Sequence, residues 1–144
     1  MGRERLVTNR RLVAIVDDEE DISNLFSDAL KRIESISIVA FNDPKIALEH
    51  FKTNFDAYAV IISDFRMPEI NGIELIKKVK ELNPKVRTIL VTAFDLHDNN
   101  DFQNFLKEGV IDTFIEKPIK INRLCQKVED EIRISIKAGR RRIL

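Results

Sequence analysis

The chain has a single cysteine, Cys125, so no disulfide can form within it. That cysteine falls on the apolar face of a helix pattern, which favours a packed thiol over a reactive one. No apolar run approaches the roughly 18 residues of a membrane span, and the N-terminus lacks the apolar core of a signal peptide. The cytoplasm is therefore the expected compartment. There are only two histidines, His50 and His97, and neither closes a strand pattern, which disfavours the softer metals. Both read as ordinary helix or surface residues. The chain also lacks an overall charge, with 24 basic and 24 acidic residues.

That zero hides an uneven spread. Arg3, Arg5, Arg10 and Arg11 make a basic leader over residues 1–10 and the first strand position, and Lys137 with Arg140, Arg141 and Arg142 makes a basic tail over 135–144. Without these ends the body holds 16 basic against 23 acidic residues. An acidic body argues against direct DNA binding by its surface. The two basic ends read as solvated tails. At 144 residues, 44% hydrophobic and 33% charged, the chain suits one globular domain, spanning 11–134.

Apolar runs alternate with helical stripes along that domain. Leu12–Val16 is a buried-strand pattern, followed by a helix with Ile22, Leu25, Phe26, Ala29, Leu30 and Ile33 on one face. Ile36–Phe41 reads as a second strand. Asp43-Pro44 is a helix start, with Ala47, Leu48, Phe51 and Phe55 as the face behind it. Val60–Ile62 is a continuous apolar run ending at Ser63-Asp64, after which Met67-Pro68 forces an extended loop. Asn71-Gly72 then opens a helix with Ile73, Leu75, Ile76, Val79 and Leu82. Val86–Val91 is a fourth strand, ending at Thr92-Ala93. A polar, irregular loop over 94–100 leads to a short helix near Asp98–Lys107 that Gly109 ends. Thr113–Ile115 is a fifth strand, and a last helix carries Ile121, Leu124, Cys125, Val128 and Ile132. That helix continues to Lys137, where Gly139 is expected to break it. Five βα units with short connections call for an α/β fold, a doubly wound parallel sheet with helices on both faces. The flavodoxin-like (βα)5 arrangement, strand order 2-1-3-4-5, is the expected topology.

The polar residues that close these strands are Asp17 and Asp18, Asp64, Thr92 and Lys117, and a parallel sheet sets them all on one rim. Three carboxylates together repel unless a cation joins them, and all-oxygen ligands suit a hard divalent ion, Mg2+ before Ca2+. Lys117 and Thr92 remain as donors for a tetrahedral oxyanion such as phosphate. A carboxylate can attack phosphorus to form an aspartyl phosphate, and Asp64, which has no acidic neighbour, is free to present its oxygen. Each residue has a plainer explanation alone. Thr92 could end a strand, Lys117 could be solvated, Phe114 could be core, and the acids of 17–21 could favour a helix N-terminus. Together those explanations require five coincidences on one rim.

The segments VAIVDDEED (13–21), IISDFRMPEINGIELI (61–76), ILVTAF (89–94) and FIEKPI (114–119) resemble the receiver domain of two-component response regulators, of the chemotaxis-regulator kind. The resemblance covers about Arg11–Arg133. It implies that Asp64 is the phospho-acceptor and that Asp18 and Asp64 bind Mg2+ directly. Asp17 would act mostly through water, and the backbone carbonyl of Arg66 would complete the protein ligands. It further implies that Thr92 is the switch hydroxyl, Lys117 the phosphoryl-binding lysine, Phe114 the switch aromatic, and that the Lys117-Pro118 bond is cis. The phosphoryl donor would be a phosphohistidine on a sensor kinase or phosphotransfer protein. Such a domain catalyses its own phosphorylation and dephosphorylation but serves mainly as a signalling switch. Its output would be the surface of the fourth helix, fifth strand and fifth helix, controlling a downstream protein, with room there for a homodimer.

Three rivals differ in what they require. An FMN carrier needs a phosphate loop after the first strand, where DDEED would repel a phosphate. A dehalogenase-type phosphatase needs an acid two residues after its nucleophile, where this chain has Arg66. A pseudo-receiver, the same fold acting as an unphosphorylated binding module, predicts a broken acid pocket. The chain is expected to be a single-domain regulator rather than a receiver cut from a longer protein.

Overall fold

The structure, a computed structural model, describes the backbone of residues 11–93, 96 and 98–143, with side chains as far as residue 137. The basic leader, His97, part of the 94–100 loop and the side chains of the basic tail beyond Lys137 lie outside the described residues.

Five strands, β1 (Arg11–Val16), β2 (Ile36–Phe41), β3 (Tyr58–Asp64), β4 (Arg87–Thr92) and β5 (Thr113–Glu116), form one sheet in the order β2-β1-β3-β4-β5. Every pairing is parallel. Between them run α1 (Glu20–Leu30), α2 (Pro44–Asn54), α3 (Gly72–Leu82), α4 (Asn100–Lys107) and α5 (Ile121–Ile143). This is the expected doubly wound α/β fold. The carboxyl ends of all five strands form an upper rim, and their amino ends a lower rim.

β3 is buried along its whole length, because it lies at the centre of the sheet with helices on both faces. Its side chains alternate between two cores. Val60 and Ile62 pack with α1 and α5 through Phe26, Leu30, Leu124 and Val128. Ile61 and Tyr58 pack with α2 and α3 through Phe51, Leu75 and Val79. Tyr58 and Ile61 share a face despite their odd spacing because the pairing slips: Leu12 faces Tyr58, but Val13 faces Val60. Ala59 is the extra residue of a bulge. A third cluster, with Leu90, Phe102 and Ile111, joins α4 to the sheet.

The helix starts follow their signals. Asp43 accepts from the Lys45 amide at 2.8 Å, with Pro44 at the first helical position. Asn71 and Glu74 form a reciprocal capping box at α3. Gly109 takes the left-handed φ of 80° just past α4. Four details depart from the sequence expectation. Leu25, Phe55 and Leu82, assigned to core faces, are exposed; Phe55 lies just past the end of α2 and Leu82 is the last residue of α3. Gly139 does not break the last helix, which continues to Ile143. A helical glycine costs only about 1 kcal/mol relative to alanine, and the flanking lysine, alanine and arginines are good helix formers.

Candidate functional site

The upper rim brings Asp17, Asp18, Asp64, Thr92 and Lys117 together as the sequence predicts. Asp64 is the last residue of β3 and is 7% exposed. Strand β1 ends at Val16, so the chain leaves the sheet at Asp17, 1% exposed, and surfaces at Asp18. Carboxylate oxygens of Asp17, Asp18 and Asp64 all lie within 4.8 Å of one another. One ammonium faces them, Lys117 Nζ, at 3.0 Å from Asp64 Oδ1. Asp18, Glu19, Asp64, Arg66, Ala93 and Lys117 line an open cavity of about 210 Å³ between these groups.

Backbone contacts fix this geometry. The Phe65 amide donates to the Val91 carbonyl at 2.8 Å, and the Lys117 amide to the Thr92 carbonyl at 2.8 Å. These bonds tie the chain leaving β3 and β5 to β4. Lys117-Pro118 is cis, as the resemblance implied. Asp17 Oδ1 accepts from the Glu19 amide at 2.9 Å, and Asn42 Nδ2 donates to the Asp17 carbonyl at 2.8 Å and to Ser23 Oγ at 2.9 Å. Asp17 therefore closes the turn that leads into α1 with one oxygen. Its other oxygen, Oδ2, is buried without a hydrogen-bond partner.

Charge and burial are in conflict here. Burial pushes the Asp17 carboxyl up to about 6, against the Glu19 amide, and the nearby Asp64 charge pushes it further the same way. Asp64 is also raised, chiefly by burial, although Lys117 opposes the shift. Lys117 is raised in turn, because the Asp64 bond and charge outweigh burial. Both carboxyls are thus harder to ionise than free ones.

Whether Mg2+ fits can be judged from the donors. The buried orphan oxygen of Asp17 and the all-oxygen set within 4.8 Å match a hard divalent ion. The Lys117 ammonium and the small residue Ala93 also line the cavity. A ligand with its own oxygens could enter between them.

Thr92 is buried at the end of β4, opposite Glu116 of β5. Phe114, half-buried on β5, lies edge-on to Phe102 of α4 with ring centroids 5.2 Å apart and planes at 84°. The switch pair expected from sequence is therefore split between the site and the α4 face.

Some residues of the site escaped the sequence reading. A Cβ on Gly72 would lie 2.2 Å from the Asp64 carbonyl oxygen, so only glycine lets α3 start this close to the acceptor. The Gly72 amide donates to the Phe65 carbonyl at 2.8 Å in the same turn. The sequence signal was present in Asn71-Gly72 but is also that of any helix start. Glu69, at φ 70°, takes a left-handed conformation in the loop between β3 and α3 and is ion-paired with Lys45 of α2. Nothing in the sequence marks that pair.

A family profile, the response regulator receiver domain, matches residues 13–129. Among curated proteins, the chain is 28% identical to response regulator protein PilR of Pseudomonas aeruginosa, over 88% of this chain and 27% of PilR. It is 29% identical to two-component response regulator ORR5 of Oryza sativa, over 77% of this chain and 84% of ORR5. The chain thus spans about a quarter of the length of PilR and of several other regulators it matches. Among solved structures, a CheY-like receiver domain protein from Methanospirillum hungatei superposes with a TM-score of 0.80 at 23% identity, covering 91% of this chain and 100% of that one.

Proposed function

The chain belongs to the response regulator receiver domain family, and from that premise we propose that Asp64 accepts a phosphoryl group from a phosphohistidine on a sensor kinase or phosphotransfer protein. The observation that carries this reading is a buried carboxylate, held at 3.0 Å by one lysine, inside a cluster of acids with an unpartnered oxygen. An Asp64 oxygen attacks phosphorus, the bond from phosphorus to the donor imidazole breaks, and the imidazole leaves and takes up a proton. Lys117 holds the acceptor in place before transfer and turns its ammonium to the phosphoryl oxygens afterwards. Thr92 donates its hydroxyl to the same group.

Asp18, Asp64 and the Arg66 carbonyl would hold Mg2+ directly, with Asp17 acting through water. Bound there, Mg2+ supplies charge neutralisation for the acids and the transferring group. The chain thereby promotes its own phosphorylation and dephosphorylation, and its role is that of a switch in the cytoplasm. A dianionic phosphoryl group draws Thr92 inward, and Phe114 turns into the vacated space, reshaping the surface of α4, β5 and α5 for a downstream partner or a second copy. Phe114 has no hydroxyl, so this switch works through packing alone.

The test is intact mass after incubation with acetyl phosphate, with and without Mg2+. One added phosphoryl group that requires Mg2+ and is lost in Asp64→Ala supports the reading. No adduct from any donor, in a protein that does not bind Mg2+, leaves the pseudo-receiver as the better account.

A further inference from the structure

A second cavity, a groove of about 470 Å³ that none of the three clustered acids lines, lies between β5 and α5. Phe114, Ile115 and Pro118 supply its apolar lining, here called its floor, and Lys120, Arg123 and Lys127 line it together with Glu116. Arg123 and Lys127 are four residues apart on α5 and so share a face. Lys127 Nζ is anchored on Thr113 Oγ1 at 3.0 Å, which keeps its charge over the groove. Lys120 and Arg123 are exposed, and among the described residues neither has a carboxylate partner. Over the body as a whole acids outnumber bases, 23 to 16, so three cations beside one groove with the single acid Glu116 are a local reversal of sign.

We propose that this groove docks an acidic segment of a partner protein that carries an apolar anchor residue. The floor takes the anchor, and the three cations take flanking carboxylates. The volume is that of a site for a few side chains rather than for a broad face. Two other occupants fit less well. A nucleic acid backbone needs a run of cations longer than this groove, which the acidic body around it does not supply, whereas a short acidic segment needs only the three beside Glu116. A second copy docking face to face would set these same cations against one another. The proposal names the partner chemistry of the output surface and rests on that reading for the link to phosphorylation, since Phe114 belongs to both the floor and the contact with Phe102.

The experiment uses the 15N-labelled full chain and a synthetic peptide with one phenylalanine between runs of glutamate. A matched peptide with lysine in place of glutamate and a single-stranded oligonucleotide serve as comparisons. Titrations are run with and without Mg2+ and beryllofluoride. The expected result is saturable shifts of the amides of Phe114, Glu116 and the first two turns of α5 with the acidic peptide only. Binding should weaken at least about tenfold in K120E/R123E, by less in the milder K120Q/R123Q, and stay unchanged in K52E on α2. Shifts centred elsewhere, equal binding by the charge-reversed variant, preference for the oligonucleotide, or concentration-dependent dimerisation through these residues would each overturn the proposal. The Asp64 and Thr92 amides report beryllofluoride separately. An adduct without peptide binding defeats the docking site alone, whereas peptide binding without an adduct defeats the phosphotransfer reading alone.

Discussion

At the lower rim, Lys80 Nζ lies 2.8 Å from Asp112 Oδ2, Arg87 Nη1 lies 3.3 Å from Asp112 Oδ1, and Arg87 Nε lies 2.6 Å from Glu131 Oε1. Asp112 also accepts from the Thr88 amide at 2.9 Å. Two cations meet two anions, and the network joins α3, β4, the approach to β5 and α5. At the upper rim, among the described residues, Asp17, Asp18 and Asp64 cluster around one ion-paired ammonium, with Glu19 and Arg66 also lining the cavity, and one buried oxygen of Asp17 has no hydrogen-bond partner. The same sheet thus carries a balanced charge cluster at one end and an unbalanced one at the other. Balance holds a structure in one state. Imbalance leaves a place for a cation and an incoming phosphoryl group, and it makes the fold pay for that readiness.

The largest effect should come from breaking the balanced end. Asp112→Ala takes from Lys80 its carboxylate partner, leaves Arg87 with Glu131 alone, and should lower the unfolding free energy by about 3–5 kcal/mol, measured by urea denaturation. Acceptance of a phosphoryl group should survive wherever the variant remains folded.

The opposite sign is expected at the unbalanced end. Asp17→Asn removes a buried charge and should raise the stability of the metal-free protein by about 1–3 kcal/mol while weakening Mg2+ binding. The pH dependence sharpens the same contrast. The folded Asp17 carboxyl sits near 6, above its unfolded value of 3.8, so its contribution to stability is fully present below pH 3.8 and is lost as pH rises through 6. Asp64 is shifted in the same direction. Without metal, wild type should therefore lose on the order of 3 kcal/mol from Asp17 between about pH 4 and pH 7, a loss absent from Asp17→Asn.

Gly72→Ala tests whether the acceptor's backbone is held by close approach. A Cβ placed 2.2 Å from the Asp64 carbonyl must displace it, so a loss of about 1–3 kcal/mol and a slower phosphorylation rate are expected together. The smallest effect belongs to Phe114→Ala. Loss of the edge-on pair with Phe102 and of half-buried surface should cost about 1–2 kcal/mol. Adduct formation should be unchanged, while the beryllofluoride-induced NMR shifts across α4 should largely disappear.

The two rims also differ in how much of them the sequence disclosed. Asp64 was conspicuous because a carboxylate ending an apolar strand demands a reason, and Lys117 because its neighbours matched a family segment. The α/β alternation was equally visible, since β3 is buried on both faces and shows it as an unbroken apolar run. The lower-rim network was not visible. Lys80, Arg87, Asp112 and Glu131 are each an ordinary charge in an amphipathic or loop segment, and only the fold brings residues 44 positions apart within 2.6 Å. Gly72 was read as a helix opener, because the need for glycine comes from a strand eight residues earlier that passes beside it. Gly139 misled for the opposite reason: a local breaker signal was overridden by good helix formers on either side.

The upper rim should be incomplete without a cation. The most direct test is the unfolding free energy as a function of Mg2+ concentration near neutral pH, for wild type, Asp17→Asn and Asp112→Ala. Wild type and Asp112→Ala should gain the same logarithmic increment with Mg2+, and Asp17→Asn should gain much less. A wild type indifferent to Mg2+, or an equal gain in all three proteins, would contradict it.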